Sequence, residues 1–431
     1  MSWDLVPLRK LITPSSKRNR PDLPLLSVVR DKGVIKRKLD KSDNHNVIPE
    51  DLSNYKVVSE GQFVINKMKA WQGSCGVSPY EGIVSPAYFV FDLTIDNPRF
   101  FNYSIRSRTI IDEFNRISSG IRVDQWDLSL LQLKYIPFFL PPCDEQNEIV
   151  RFLDWKVSGI NRLINAKKKQ ITLLEELYLT SINHSLSCGL NSAVSYKETG
   201  IKWIPKIPDT WNISIIKNHF HIEKRIAGKE GYDILSITQK GLKVKDITTN
   251  EGQMAANYSN YQFVYPGDFA MNHMDLLTGY VDISMQFGVT SPDYRVFCLI
   301  DTENCFPEFF LRIFQLCYKR KIFYGFGQGA ASHGRWRMPR DNFLNFLIPL
   351  PPINEQREIA AYCGDIDNKT RNLVSKLENG ITFLHEYRNR LISDVVTGKL
   401  DVRNTVVPAN NVFAETLYTE IESADEMGDE G

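Results

Sequence analysis

The sequence contains one short pattern twice, as FFLPPCDEQNEIV at 138–150 and as FLIPLPPINEQREIA at 346–360. Both copies run Pro-Pro, two residues, Glu-Gln, one residue and Glu-Ile, and they lie 210 positions apart. Proline fixes its own backbone dihedral and disfavours a helical conformation in the residue before it, so an extended strand ends there. The glutamates that follow favour the positive end of a helix dipole. Each copy therefore predicts a junction between a strand and a helix, with Asp144 and Asn354 as N-cap residues.

The duplication extends through most of the chain. At the offset of 210, apolar residues of both predicted helices match, from Leu163 with Leu373 to Leu190 with Leu400. At an offset of 206, residues of the preceding regions match: Gly61, Phe63, Gly82, Tyr88 and Phe91 with Gly267, Phe269, Gly288, Tyr294 and Phe297. A short repeat would stack into a solenoid, whereas two copies of about half the chain predict two whole domains related by a pseudo-twofold axis.

Each copy of the pattern opens a long helix. No proline follows until Pro205 in the first copy and Pro408 in the second, and apolar residues recur every three or four positions. That spacing is typical of a coiled-coil face, and about 45 helical residues would extend over roughly 65 Å. The two helices are expected to pack antiparallel and to hold the two domains at a set distance. Helices that serve only as packing elements are the alternative.

The predicted fold class is therefore α+β, with two similar mixed domains separated by two long antiparallel coiled-coil helices. The predicted division is residues 1–143 for the first domain, 144–190 for its spacer helix, 191–353 for the linker and second domain, 354–400 for the second helix, and 401–431 for an acidic tail. This tail has eight acidic residues against Arg403, a net charge of −7, and leaves +8 on residues 1–400.

The composition excludes some classes of function. Apolar residues make up 42% and charged residues 24%, as in globular proteins, and no apolar run approaches the ~20 residues of a membrane span. The N-terminus has no secretory pattern, so a cytoplasmic location is expected. The seven cysteines form no CxxC pair, and no metal site is predicted. The mildly basic body is compatible with a polyanionic partner without requiring one.

Two basic stretches are candidates for contacts with nucleic-acid phosphates. The first is RDKGVIKRKLDK at 30–41, and the second is SITQKGLKVKD at 236–246. A charged hairpin in solvent is the alternative for both. The candidate residues are Lys36, Arg37 and Lys38 in the first stretch and Lys240, Lys243 and Lys245 in the second.

Both copies also have a glycine-containing connection before their last strand, SSGIRVDQW at 118–126 and GQGAASHGRWRM at 327–338. Small residues among serines, arginines and a histidine can approach a nucleic-acid backbone or a base edge closely. Tight turns with solvated charges are the alternative, and Trp126 and Trp336 fit core anchors better than stacking platforms. The candidate residues are Ser119 and Arg122 in the first connection and Gln328, Ser332, His333, Arg335 and Arg337 in the second.

Taken together, these motifs resemble the specificity subunit of type I restriction-modification systems. The resemblance rests on LPPCDEQNEI and LPPINEQREI, on ETGIKWIPKIPDTW at 198–211, on the GVTSPDYRVF block and on LISDVVTGKLDVR at 391–403. It covers nearly the whole chain.

The resemblance implies two target-recognition domains, each reading one half of a bipartite double-stranded DNA sequence. It implies that the two long helices set the unread gap and dock methylation subunits, two of them by expectation. Those partners would supply S-adenosylmethionine and adenine methylation, and motor-nuclease restriction subunits would supply ATP- and Mg-dependent cleavage.

No cofactor is expected on this chain, and no catalytic residue is predicted in it. An amino-methyltransferase of that kind needs an Asn/Asp-Pro-Pro-aromatic motif, and the nearest string, Asp96-Asn97-Pro98-Arg99-Phe100, has no second proline. Two alternatives remain open from the sequence: a coiled-coil adaptor without DNA specificity, and a stand-alone DNA-modifying enzyme.

Overall fold

The computed structural model describes residues 3–37, 49, 51–120, 126–246, 255, 257–329 and 336–408. The chain forms two compact units. Unit 1 comprises residues 1–168 together with 378–431, and unit 2 comprises residues 169–377. Unit 1 is thus assembled from two separate stretches of chain, whereas unit 2 is one continuous stretch.

Unit 1 is built around a four-stranded antiparallel sheet with the order β2-β9-β6-β7. Its described strands are β1 (Asp4–Pro7), β2 (Ile12–Ser15), β3 (Leu26–Val29), β4 (Gly33–Lys36), β5 (Lys56–Val58), β6 (Phe63–Asn66), β7 (Cys75–Val77), β8 (Gly82–Val84), β9 (Tyr88–Leu93), β10 (Ser118–Ser119), β11 (Asp127–Leu128) and β12 (Pro137–Leu140). The helices of this stretch are α1 (Pro98–Ile105), α2 (Arg108–Arg116), α3 (Leu130–Leu133) and α4 (Cys143–Cys188), of which α4 continues into unit 2.

The aromatic residues of the repeat form the core of unit 1. Phe63 on β6 lies opposite Phe91 on β9, and their rings stack with centroids 5.7 Å apart. Phe101 of α1 meets Phe63 edge-on at 5.3 Å, so the helix covers one face of the sheet. All three side chains are buried. Their burial, at about 25 cal/mol per Å² of apolar surface, holds the helix on the sheet.

Unit 2 has a four-stranded antiparallel sheet with the corresponding order β16-β23-β20-β21. Its described strands are β13 (Tyr196–Ile201), β14 (Ile204–Pro208), β15 (Asn212–Ile215), β16 (Phe220–Glu223), β17 (Leu235–Thr238), β18 (Gly241–Val244), β19 (Gln262–Val264), β20 (Phe269–Met271), β21 (Val281–Ile283), β22 (Gly288–Thr290), β23 (Arg295–Leu299) and β24 (Leu347–Leu350). The helices are α5 (Pro307–Lys319), α6 (Arg340–Leu344) and α7 (Ile353–Val396), of which α7 continues into unit 1.

The pairing of strands confirms the duplication. Phe269 and Phe297, the repeat partners of Phe63 and Phe91, again lie opposite each other and stack with centroids 5.2 Å apart. The two-stranded ladders correspond as well: β1-β12 with β15-β24, β3-β4 with β17-β18, and β5-β8 with β19-β22. The same sequence pattern has therefore produced the same sheet twice.

The repeated Gln of the opening pattern fastens each strand to its helix. The Gln146 side-chain amide donates to the carbonyl oxygen of Pro141 at 2.9 Å, and the Gln356 amide donates to Pro351 at the same distance. The backbone N–H groups of both glutamines donate to the second proline of their pair at 3.0 Å. Both glutamine side chains are almost fully buried, so the turn is closed within the protein and not by water.

The predicted N-caps are wrong by a small margin. The helices begin at Cys143 and Ile353, one residue before Asp144 and Asn354. The reason is the bond from the glutamine N–H to the second proline, because it makes the proline carbonyl the first helical acceptor. Asp144 and Asn354 therefore lie inside the first turn.

The two long helices are confirmed. Helix α4 has 46 residues and α7 has 44. Within unit 1 they pack antiparallel, since Arg388 donates to the Asn161 side-chain oxygen at 2.9 Å while the Lys167 side chain lies over Gly380. Gly380 leaves room there, because a Cβ would come within 3.1 Å of the Lys167 Nζ. The lysine that interrupts the apolar pattern is thus accommodated by a missing side chain.

Within unit 2 the same two helices also run antiparallel. Ser185 of α4 meets Cys363 of α7 at 3.4 Å, and Tyr178 hydrogen-bonds to Asp367. Burial raises the pKa of Tyr178 to about 12, with Asp367 contributing in the same direction. The phenol therefore stays protonated as a donor at neutral pH.

No helix in the described parts of the chain is both long and apolar enough to cross a membrane. The division at 143, 190, 353 and 400 stays a prediction. Residues 409–431, which carry most of the acidic tail, lie outside the described residues.

The two repeated glutamines should contribute unequally to the free energy of unfolding. Gln356 makes three buried hydrogen bonds, since it also donates to the Asn304 carbonyl at 3.1 Å and accepts from the Phe306 N–H at 2.8 Å. The Gln146 side-chain oxygen has no partner among the described residues. Gln356→Met should cost about 2–4 kcal/mol and Gln146→Met about 1 kcal/mol, because only the former leaves several buried groups unpaired.

Urea unfolding of the two variants checks this expectation. The midpoint is the suitable readout, because a protein of two units need not unfold in one step. Equal shifts for both variants would contradict the unequal bonding.

Candidate nucleic-acid interface

In unit 1 the first basic stretch forms the β3-β4 hairpin. Arg37 follows β4 and its N–H donates to the Leu25 carbonyl at 2.9 Å. The exposed Lys36 side chain places its Nζ 4.9 Å from the centre of the Tyr80 ring, a cation-π distance. Lys38 lies outside the described residues. The first basic stretch is therefore a hairpin with Lys36 and Arg37 at its open end, and the contact of these residues with phosphates stays a prediction.

The turn of this hairpin is held against the edge of the central sheet. Gly33 has a φ of +74°, which favours glycine, and a Cβ there would lie 3.1 Å from the Arg106 guanidinium. Arg106 donates to the Arg30 and Asp31 carbonyls at 3.1 and 2.8 Å. Gly76 of the edge strand β7 lies against Gly33. The turn of the hairpin is thus fixed in position next to β7.

In unit 2 the β17-β18 hairpin occupies the corresponding place. The N–H of Leu242 donates to Asp282 of the edge strand β21 at 2.9 Å, and a Cβ on Gly241 would collide with the same carboxylate. Lys240 at the turn and Lys243 on β18 are exposed. The Lys245 N–H donates to the Ile234 carbonyl at 2.8 Å, which continues the ladder by one residue.

The two ends of the glycine-containing connection of unit 1 pair with each other as a short two-stranded ladder. Ser119 of β10 pairs with Asp127 of β11, and Ser119 is exposed. Arg122 lies outside the described residues. The Trp126 ring packs on Trp71 with centroids 5.2 Å apart, so this tryptophan is engaged as an anchor inside the unit.

The second connection has the same construction in unit 2. Gln328 and Arg337 exchange two backbone hydrogen bonds at 2.8 and 3.0 Å, and both side chains are exposed. Trp336 donates its indole N–H to the Tyr324 carbonyl at 2.7 Å and packs on the Tyr324 ring. Ser332, His333 and Arg335 lie outside the described residues.

Both ladders rest on the connection between an inner strand of the central sheet and its edge strand, β6 to β7 in unit 1 and β20 to β21 in unit 2. In unit 1 the Leu128 N–H donates to the Lys67 carbonyl at 2.9 Å, just after β6. In unit 2 the Met338 N–H donates to the His273 carbonyl at 2.9 Å, just after β20. Since the basic hairpins rest on β7 and β21, the structure brings the described members of both groups of predicted residues to the same edge of the sheet in each unit.

Sequence reasoning missed four titratable residues that lie in or next to the ladders, two in each unit. In unit 1 they are Lys67 and Asp127, whose side chains form an ion pair at 3.0 Å. In unit 2 they are His273 and Arg295. Burial, with the charges of Arg295 and Arg337, lowers the pKa of His273 to about 3, so its ring is neutral at pH 7.

Arg295 is a buried cation, with 6% of its surface exposed. Its Nη2 donates to the Met338 carbonyl at 2.9 Å, and its guanidinium lies 4.8 Å from the centre of the Phe343 ring. Burial lowers its pKa to about 10, which still leaves it charged at neutral pH. The signal that could have found it is in the repeat, because the matching residue of the first copy is Phe89.

No group of three or more metal-ligating side chains occurs in the described parts of the chain. An open cavity of about 390 Å³ lies at the end of α4 in unit 2. It is lined by Thr180, Ser181, His184, Ser185, Gly189, Leu190, Ser192 and Tyr362, which include none of the predicted interface residues.

Comparisons with known proteins bear on this arrangement. Residues 209–382 match the family described as the type I restriction modification DNA specificity domain. A protein of Methanocaldococcus jannaschii described as a type I restriction enzyme MjaX specificity subunit is 22% identical over 377 residues, which are 82% of this chain and 81% of that protein.

One solved structure shows the fold. A chain from a study of complex assembly and conformational transition of the type I R-M system superposes with a TM-score of 0.65 at 15% identity, covering 92% of this chain and 98% of that one. The HsdS subunit from Thermoanaerobacter tengcongensis aligns at a TM-score of 0.48 and 14% identity, covering 92% and 97%. Residues 209–382 therefore match a type I restriction modification DNA specificity domain, and the resemblance to the specificity-subunit family that the repeated motifs predict is confirmed.

Proposed function

We propose that this chain reads a bipartite double-stranded DNA target within a type I restriction-modification complex, each unit reading one half. The observation that carries the proposal is the duplication of a complete recognition edge. Each unit has the same sheet order, with a hairpin on its outer strand and a second ladder beside it. Exposed lysines and arginines at such an edge position a protein on phosphates, while the neighbouring small and polar residues reach bases.

The proposal assigns the unread gap to the two long helices. A helix of 46 residues extends over about 69 Å at 1.5 Å per residue. Unit 1 holds the first half of α4 and the second half of α7, and unit 2 holds the other halves. Each unit is thereby fixed to both helices, so a change in helix length should change the distance between the two half-sites.

The helices also offer surfaces for methylation subunits. Large apolar side chains on them are exposed, although a solvated helix usually shows polar residues there. Phe383 and Tyr387 of α7 are 68% and 54% exposed. Further exposed apolar residues are Leu163 in unit 1 and Leu173, Leu177 and Leu373 in unit 2. Groups of this kind in both units support the docking of two methylation subunits.

Catalysis belongs, in this proposal, to those partners and to restriction subunits, which would bind S-adenosylmethionine, ATP and Mg, and the complex would act in the cytoplasm. The string nearest to a methyltransferase motif is already used for structure. Asn97 caps α1 by accepting the N–H groups of Arg99 and Phe100, both at 3.0 Å. Its amide also donates to Asn147 at 2.7 Å. A residue so engaged supports a structural role and not one in holding an adenine.

Exchange of one recognition unit tests the proposal directly. Replacing residues 204–345 with the corresponding segment of another specificity subunit should change one half of the methylated sequence and leave the other half intact. The readout is mapping of methylated adenines in cells that contain the complete complex. The reciprocal exchange of residues 1–138 is the control and should change only the other half. Retention of both halves after either exchange would contradict the modular reading.

Changing the helix tests the spacing. Four residues inserted after Ile164 add about 6 Å of helix, or one to two base pairs of duplex. Both half-sites should still be read in the methylated target, and the unread gap between them should become longer or variable in length. Substitution of four exposed residues at the same place, without a change in length, should leave the gap unaltered. An unaltered gap after the insertion would rule out the spacer role.

The exposed apolar residues can be tested by assembly. Phe383→Ser with Tyr387→Ser should weaken binding of a purified methylation subunit about tenfold or more, because burial of one such side chain contributes about 1.5–3 kcal/mol. Asn389→Ser, an exposed polar change on the same helix, is the matched control and should bind as the wild type does. Calorimetric affinities equal for both variants would place the docking surface elsewhere.

A further inference from the structure

The ladders beside the central sheets have the same backbone hydrogen bond but different charges in the two units. The ladder residues Leu128 and Met338 are repeat partners, and both donate their N–H at 2.9 Å to the residue that follows β6 or β20. At the two facing positions, unit 1 has Lys67 and Asp127. Unit 2 has His273 and Arg337 at the same two positions. The backbone is thus constant while the charges change.

In unit 1 the positive charge of Lys67 is neutralised by a carboxylate of the same unit. The Lys67 ammonium lies 3.0 Å from the Asp127 carboxylate, and the pair leaves no net charge. The Asp127 side chain is 55% exposed, so the pair stands at the surface beside Ser119. A carboxylate of the protein therefore occupies the position where an external anion would meet the lysine.

In the described part of unit 2 no carboxylate pairs with the residue at the equivalent ladder position, Arg337. The exposed Arg337 guanidinium has no hydrogen-bond or ion-pair partner in the described residues. His273 is neutral, and its buried Nδ1 likewise lacks a partner there. Below them, Arg295 is nine-tenths buried and its Nη1 is unpartnered within the same residues. Arg295 and Arg337 both act electrostatically on His273, and among the described residues no carboxylate pairs with Arg337 as Asp127 pairs with Lys67.

The backbone next to Arg337 contains a glycine. Its ladder partner Gln328 is followed by Gly329, which is exposed and has a φ of +138° that favours glycine. Gly329 itself contributes no side chain that could cover the Arg337 guanidinium. A buried arginine beneath strengthens the attraction, because its charge is screened less by water.

We propose that Arg337 contacts one backbone phosphate of the DNA, that buried Arg295 positions the strand that carries it, and that the equivalent place in unit 1 is closed by Asp127. The inference rests on the proposed function and deepens it, because it makes the two recognition units unequal in their electrostatic contribution. Unit 2 gains a phosphate contact at a position where unit 1 makes an internal ion pair. Such a contact contributes affinity but reads no base.

Salt titration of DNA binding by the full-length chain tests this inference with two variants of opposite sign. Each phosphate contact contributes about 0.9 to the slope of log affinity against log salt concentration. Arg337→Gln should therefore reduce the slope by about 0.9. It should also weaken binding by the same factor for duplexes altered in either half-site. Asp127→Asn should raise the slope by up to about 0.9, because it frees Lys67. Both side chains are exposed, and unchanged melting temperatures would verify folding.

Duplexes with a single neutral methylphosphonate identify the phosphate. At one position the wild type should lose affinity while Arg337→Gln should not, and this position should lie in the half-site that changes when residues 204–345 are exchanged. An unchanged slope for Arg337→Gln, or a loss confined to one base pair at constant slope, would overturn the inference. If wild-type binding showed no dependence on salt at all, the proposed function itself would fail, which is a separate outcome.

Discussion

The turn that the two glutamines close is the constraint on which the architecture depends. Each glutamine amide binds the first proline of its pair and each glutamine N–H binds the second. These bonds fix where the last strand of a unit ends and where a helix of more than forty residues begins. Since a helix is stiff over this length, a small error at its start would move its far end by many ångströms. Buried hydrogen bonds that hold the strand-to-helix turn in one conformation are therefore required at the start of so long a helix.

The two copies remain alike in their apolar contacts and differ in their polar ones. Trp211 donates its indole N–H to Glu355 at 2.8 Å in unit 2. In unit 1 the corresponding Trp3 nitrogen is buried without a partner among the described residues, and Glu145 instead faces Arg403 at 3.8 Å. Apolar packing tolerates little change of volume, so most of it is the same in both copies, with buried Arg295 in place of Phe89 as an exception. The polar contacts, buried ones included, carry the difference between the units.

The sequence was sufficient for the parts of the fold that depend on periodicity. The repeat that includes Phe63 and Phe269 predicted two similar mixed domains, and the spacing of apolar residues predicted two helices of about 45 residues. The helix starts were misplaced by one residue, because the glutamine N–H bonds to a proline carbonyl and not to a capping side chain. Hydrogen bonds of that kind depend on the path of the backbone, which residue spacing does not determine.

The candidate site was predictable only where charge is visible along the chain. Lys36 and Lys243 lie on exposed hairpins, whereas Arg295 lies in a core strand and His273 in a loop, and the neighbours of both come from distant sequence. An arginine within an apolar strand gives no sign of what it will meet. Only the comparison with Phe89 in the other copy marks it as an exception to the pattern.

The discontinuity of unit 1 has a consequence for how the chain acquires its structure during synthesis. Ile160 and Ile164 share a buried core with Leu391, and the Arg108 N–H donates to the Ser393 hydroxyl across 285 positions. Unit 2 uses one uninterrupted stretch, so it can complete its core while the ribosome is still adding the last segment. The unit that is translated first is thus completed last. Until α7 has been synthesised, the face of α4 with Ile160 and Ile164, which Leu391 will cover, stays uncovered.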